Sequence, residues 1–234
     1  MLRIEDFNSF YGNVQVLRDF SISVASGEIV CLLGRNGAGK TTALKSIIGL
    51  LMPRDGRRLL DGRDISALAA EDIPRQGIGY VPQGRRLFTE LTVRENLQVG
   101  LMTRGSGRAA FDRAVSYFPK LAERFDQRAG TLSGGEQSMV AIARALCVEP
   151  RVIMLDEPTE GLMPSMIQAI RDVVMKLRSE GVAVLLVEQR IDAVLPVADR
   201  IAFMDQGRIQ AEAHVEDVRA DPSMVQKYLG VGHG

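Results

Sequence analysis

The stretch Gly34-Arg35-Asn36-Gly37-Ala38-Gly39-Lys40-Thr41 constrains this 234-residue chain more than any other. It follows the apolar, β-prone run Ile29–Leu33 and leads into residues 42–48, from Thr42 on, whose apolar positions fall at helical spacing. Strand, glycine loop and helix in that order are the setting of a phosphate-binding P-loop. A polyphosphate needs several backbone N–H groups aimed into one concavity. Glycines let the chain curl that tightly, and a helix N-terminus adds unsatisfied donors and the positive end of its dipole. Lys40 is placed to reach the β- and γ-phosphates, and the Thr41 hydroxyl to join a Mg²⁺ shell.

Composition narrows the setting. Lys plus Arg and Asp plus Glu both count 29, so the formal net charge is zero. That argues against broad binding to nucleic acid, which shows as a basic excess. No apolar run approaches the roughly 18 residues of a membrane helix. The start, Met1-Leu2-Arg3-Ile4-Glu5-Asp6, lacks the plan of a signal peptide. Cys31 and Cys147 sit in apolar segments without metal or disulfide spacing, and are expected in the core of a protein from a reducing compartment. With only His214 and His233, a histidine triad or zinc site is not expected.

Along the chain, Phe20, Ile22 and Val24 alternate with Asp19, Ser21 and Ser23, a half-buried strand. Tyr11 lies on this opening segment with Val16 beyond it; an aromatic there suits stacking on a base and, equally, ordinary sheet packing. Residues 55–64 read as a hairpin with Asp55-Gly56 and Asp61-Gly62 as turn signals. A short strand ends at Pro82, and Gln83 follows. Residues 85–129 mix helical patterns with the connector Arg104-Gly105-Ser106-Gly107-Arg108, and Arg85 and Arg86 read as solvated surface. The expected fold is α/β, a P-loop NTPase core with an N-terminal antiparallel β subdomain and an inserted α-helical subdomain. As a single domain over 1–234, the core takes 1–83 and 150–234 and the helical part 84–149.

Leu132-Ser133-Gly134-Gly135-Glu136-Gln137 opens a helix expected over 138–146, with Ser133 and Glu136 spaced as a capping box. Alone, this is as much a well-capped helix as a second anion site. Val152-Ile153-Met154-Leu155 reads as a strand buried on both faces, with Asp156 and Glu157 at the carboxyl end where α/β sheets place ligands. Asp156 suits Mg²⁺; Glu157 suits orienting or deprotonating a water. Helices are expected over 165–179 and 191–198 and strands over 182–187 and 201–204. Gln189 stands just past the strand 182–187, which the doubly wound plan sets beside the Asp156-Glu157 strand and so near a γ-phosphate.

With these motifs in this order, the chain resembles the ATP-binding subunits of ABC transporters along nearly its full length. Leu-Ser-Gly-Gly-Glu-Gln between the two phosphate-site motifs separates that family from kinases, helicases and small GTPases. The resemblance implies ATP and Mg²⁺ as ligands and a head-to-tail pair of ATPase subunits, each P-loop facing the partner's signature residues 132–137. It implies that Tyr11 stacks on adenine, and that Gln83 senses Mg²⁺ and the attacking water. Residues 81–88 and 91–97, and Leu186-Val187-Glu188-Gln189, are similar to the importers of branched-chain amino acids, the LivF type, and also to urea or short-amide importers. Met163 stands where the family commonly has aspartate, and Gln189 where it commonly has histidine. The implied partners are two transmembrane permease subunits, a second ATPase subunit and an extracytoplasmic solute-binding protein, with the chain peripheral on the cytoplasmic face of the membrane. An exporter subunit, or a soluble ATPase acting on ribosomes or DNA, stands as the competing reading. The single P-loop, the lack of a heptad run and the zero net charge weigh against the soluble one.

Overall fold

The computed structural model describes residues 1–230. The alternating N-terminal pattern closes into a hairpin: β1 (Leu2–Tyr11) and β2 (Val14–Val24) pair antiparallel, Leu2 opposite Val24 and Tyr11 opposite Val14. The apolar run β3 (Ile29–Leu33) leads through the glycine loop into α1 (Lys40–Ile47). β4 (Asp55–Leu60) and β5 (Arg63–Asp64) complete a four-stranded antiparallel sheet in the order β2-β1-β4-β5. Asp61-Gly62 makes the expected turn between them. Asp55-Gly56 does not: it lies within β4, where Gly56 (φ 100°) passes the carbonyls of Glu5 and Asp6 too closely to admit a Cβ.

β6 (Ile78–Val81) precedes three helices, α2 (Val93–Met102), α3 (Arg108–Tyr117) and α4 (Gly134–Leu146). α4 begins at Gly134 rather than Ser138, because the capping box already secures the first turn. Then follow β7 (Val152–Asp156), α5 (Pro164–Ser179), β8 (Ala183–Glu188), α6 (Ile191–Val194), β9 (Arg200–Asp205), β10 (Arg208–His214), α7 (Val215–Ala220) and α8 (Ser223–Leu229). α6 is shorter than expected: Pro196 has no N–H to carry the ladder on, and the N–H groups of Val197 and Ala198 both turn back onto the Val194 carbonyl. Residues 231–234, His233 included, lie outside the described residues.

The second sheet has six strands in the order β10-β9-β3-β8-β7-β6, parallel except for β10. β3, β7 and β8 are buried at every position, as strands covered on both faces must be. Their alternation sorts the core into two layers. Ile29, Cys31 and Leu33 belong to the helical side, with Val93 and Leu97 of α2, Val140 of α4 and Val174 of α5. Val30 and Leu32 belong to the other, with Leu44 of α1 and Ile4 and Phe20 of the antiparallel sheet. Each such side chain contributes about 1.5–3 kcal/mol on burial. The free Cys31 and Cys147 are both buried, as expected.

One buried arginine ties the antiparallel sheet to α1. Arg58 of β4, 1% exposed, donates to the Ser46 and Ile47 carbonyls at the end of α1 and to those of Ile65 and Leu68. Burial lowers its pKa to about 10, so it stays cationic at neutral pH. A positive charge at that end of a helix complements the dipole whose other end lies at the glycine loop.

Candidate functional site

The loop between β3 and α1 is shaped by what its glycines omit. A Cβ on Gly34 would strike the Met204 carbonyl of β9, and Gly37 and Gly39 hold φ of 82° and 106°. Arg35, Asn36 and Gly37 are exposed, whereas Ala38, Gly39, Lys40 and Thr42 are buried. The β9–β10 turn supports the loop from behind, the Gly207 N–H donating to the Ala38 carbonyl at 2.8 Å. Gly39, the N-cap of α1, offers no side-chain cap, and the first turn holds no acidic residue. Its backbone donors are therefore left for an anion.

Lys40 is 5% exposed. Its Nζ donates to the carbonyls of Gly34 (2.7 Å) and Arg35 (3.1 Å) and lies 3.8 Å from Glu157 Oε1. Burial pulls its pKa down, and the carboxylates of Glu157 and Asp156 oppose that pull. The ammonium is thus held inside the loop where a polyphosphate would enter.

Asp156, at the end of β7 and 1% exposed, accepts from the Thr41 hydroxyl at 3.3 Å and the Tyr80 hydroxyl at 3.5 Å. Burial raises its pKa. A hydroxyl and a carboxylate oxygen side by side are the donors a hard divalent cation takes. Among the described residues, no group of three or more His, Cys, Asp or Glu is arranged to hold a metal. A cation here would rest on one carboxylate, the hydroxyl and a bound phosphate, the pattern of Mg²⁺ in nucleotide sites.

Glu157 leaves the strand in a left-handed conformation (φ 50°), its N–H donating to the Val187 carbonyl at 2.9 Å. That turn directs the carboxylate into a set of donors. Gln189 Nε2 lies 2.6 Å from both oxygens, Gln83 Nε2 lies 3.1 Å from Oε2, and Lys40 completes the set. β8 does run parallel beside β7, as expected, but it delivers the Gln189 amide onto Glu157. Glu188 next to it is buried, takes the Thr159 hydroxyl at 2.7 Å, and has its pKa raised by burial.

Leu132-Ser133-Gly134-Gly135-Glu136-Gln137 forms the cap and first turn of α4. Ser133 is exposed, and its hydroxyl both accepts the Glu136 N–H (3.3 Å) and donates to the Glu136 carboxylate (2.7 Å). The bonds its carboxylate accepts from the Ser133 hydroxyl and backbone N–H, with Arg124 nearby, hold the Glu136 pKa low. Gly135 packs against Met166 of α5, where a Cβ would meet Cγ at 2.7 Å. Leu132 is buried, and Gln137 Nε2 donates to the carbonyls of Ala129 and Leu132. Among the described residues, no hydrogen bond or ion pair joins 132–137 to the loop 34–42 of the same chain. Tyr11 stands 46% exposed at the end of β1. Val16 is half-buried, and its carbonyl abuts Gly207, the residue that supports Ala38.

Sequence reasoning missed two participants. Glu160 shares Gln83 with Glu157, accepting from Nε2 at 3.0 Å. Arg85, expected to be solvated, is half-buried and donates to Ser138 Oγ on α4 at 3.0 Å. That partner is 53 positions away, so no local pattern marks the arginine.

The family described as ABC transporter matches residues 17–160. The chain is 41% identical over 232 residues to the high-affinity branched-chain amino acid transport ATP-binding protein BraG of Pseudomonas aeruginosa, covering 98% of this chain and 100% of that one. It is 37% identical to the lipopolysaccharide export system ATP-binding protein LptB of Haemophilus influenzae, covering 98% and 97%. Among solved structures, an ATP-binding cassette of an ABC transporter in its ADP conformation superposes with a TM-score of 0.85 at 31% identity, over 99% of both chains.

Proposed function

The chain belongs to the ABC transporter family as an ATP-hydrolysing subunit, and from that premise we propose that it energises uptake of branched-chain amino acids. The observation that carries the reading is the convergence of Lys40, Thr41, Asp156, Glu157, Gln83 and Gln189 below an uncapped helix N-terminus. The loop donors of 34–42 and the Lys40 ammonium bind the phosphates of ATP, and Tyr11 and Val16 contact the adenosine side. Glu157 takes a proton from a water as its oxygen bonds to the γ-phosphorus. The bond to the β,γ-bridging oxygen breaks, and ADP carries away the electron pair. Gln83 and Gln189 hold the Glu157 carboxylate in place. Thr41, Gln83 and Asp156 fit Mg²⁺, which when bound neutralises charge building on the phosphate oxygens.

Residues 132–137 meet the ATP of a second ATPase subunit, a related chain or a second copy, in a head-to-tail pair. The exposed Ser133, with no hydrogen bond from 132–137 to the chain's own loop among the described residues, favours this over a role within one chain. A groove of about 320 Å³ between the segment after α1, β6 and the helices α2 and α4 supports docking of a permease subunit. It is lined by Ile48, Leu50, Tyr80, Phe88 and Val99. Leu50 and Phe88 on its rim are 63% and 51% exposed. No helix among the described residues is long and apolar enough to cross a membrane; the chain sits on the cytoplasmic face through that groove. A solute-binding protein delivers the amino acid to the permease.

Resemblance to the lipopolysaccharide exporter subunit keeps export as the second reading. Vesicles carrying the chain with branched-chain amino-acid permease subunits, a second ATPase subunit and a binding protein decide between them. ATP-driven leucine uptake supports the proposal. Turnover stimulated by lipopolysaccharide, with no leucine transport, overturns it.

A further inference from the structure

We propose that Arg85 is a positioning residue that couples Gln83 to the first turn of α4, so that the grip of Gln83 on Glu157 follows the placement of the signature residues. The inference rests on the ATPase reading above and adds a residue to it. Gly84, Arg85 and Arg86 follow Gln83 directly with φ of 74°, 67° and 48°. Two consecutive non-glycine residues in the left-handed region persist only where their surroundings hold them there. The side chains that hold them reach across to or from α4.

Arg85 Nε donates to Ser138 Oγ at 3.0 Å and a terminal nitrogen lies 3.5 Å from Gln137 Oε1. Ser138 is 5% exposed and donates its own proton to the Gly134 carbonyl at 3.1 Å. The guanidinium lies against Gly134 itself, where a Cβ would stand 3.1 Å from it. A second cation spans the gap in the opposite direction: Arg144 of α4 donates to the Arg86 carbonyl at 2.8 Å and to that of Arg85 at 3.5 Å. Between this clamp and the carboxylates lies a cavity of about 320 Å³, lined by Gly84, Arg85, Ser138, Asp156, Glu157 and Glu160. The loop is therefore tied to α4 by polar contacts across a space. At the loop's other end the Gln83 amide is shared between Glu157 and Glu160. A displacement of the first turn of α4 drags the loop and shifts that sharing, which alters how the Glu157 carboxylate is held when water is to be activated.

The test is a double-mutant cycle on ATP turnover by the assembled transporter, using Arg85→Met, Gln83→Ala and the pair, with Arg85→Lys and Ser138→Ala alongside. Arg85→Met is expected to lower kcat about tenfold with KM for ATP within about twofold of the parent, the signature of a loss confined to the transition state. In the Gln83→Ala background the same change should cost less than about twofold, since residues acting through one another are not additive. Arg85→Lys, which keeps the cation, should recover part of the loss, and Ser138→Ala should reproduce part of it. Should Arg85→Met fail to fold, as judged by circular dichroism, Ser138→Ala with Gln83→Ala completes the same cycle. Full additivity, or unchanged kcat in Arg85→Met, overturns the inference. A parent complex that hydrolyses no ATP overturns the functional reading instead.

Discussion

α1 and α4 both start beside glycines, yet their first turns are finished in opposite ways. α4 follows Ser133, whose hydroxyl and backbone exchange bonds with Glu136 in a complete capping box. α2 is finished the same way by Thr92 and Glu95. α1 follows Gly39, has no side-chain cap and no acidic residue in its first turn, and holds the buried Lys40 there. A capped turn is stable on its own; an open one leaves donors and charge for an anion from solution. Glycine near a helix start is thus not what makes a phosphate site. What distinguishes the turn before Lys40 is that no carboxylate of its own chain takes its backbone donors.

That contrast is broken most severely at Lys40. Lys40→Ala removes the cation from the open turn and leaves Glu157 without its nearest positive partner, so ATP affinity should fall at least about a hundredfold. Titration with a fluorescent ATP analogue measures it; affinity equal to the parent's would mean that the turn is not the phosphate site. Glu157→Gln keeps the shape and loses the base. Hydrolysis should drop by roughly a hundredfold or more while ATP still binds, as single-turnover kinetics would show.

Gln189→Ala should be milder, a loss of about tenfold, because the amide orients Glu157 and transfers no proton. Gln189→His sharpens the point. A protonated histidine beside Glu157 stabilises the ionised carboxylate and weakens it as a base, so the rate should decline as pH falls through the histidine pKa, roughly 6.5 before perturbation. A pH profile as flat as the parent's would place residue 189 out of reach of the carboxylate. At the closed turn, Ser133→Ala should cost stability, about 1 kcal/mol by denaturant melts, with ATP affinity of the single chain unchanged.

The smallest effect concerns Glu188, whose pKa burial raises. A raised folded-state pKa means that the unfolded chain gives up the proton first. Its contribution is then fully present below the unfolded pKa and is lost as pH rises through the folded one. Glu188→Gln should therefore raise the thermal midpoint at neutral pH, and the gain should shrink toward acid pH. A gain that grows at low pH would mean that Glu188 is held as a carboxylate.

The sequence by itself determined the local pieces, because their causes are local. An apolar run with no polar alternation has to be covered on both faces, and β3, β7 and β8 are. Ser133 and Glu136 lie three positions apart and find each other within one helical turn. Glycine spacing shaped the loop before Lys40, since only residues without a Cβ tolerate its dihedrals and its approach to Met204. Tertiary structure decided what depends on distant segments meeting. It turned Gln189 onto Glu157, divided Gln83 between Glu157 and Glu160, and laid Arg85 against α4. Those contacts join positions 32 to 77 apart in the chain. The direction of a polar side chain at a strand end or in a loop is set by whichever partner the fold brings within about 3 Å, and no pattern of neighbouring residues encodes that partner.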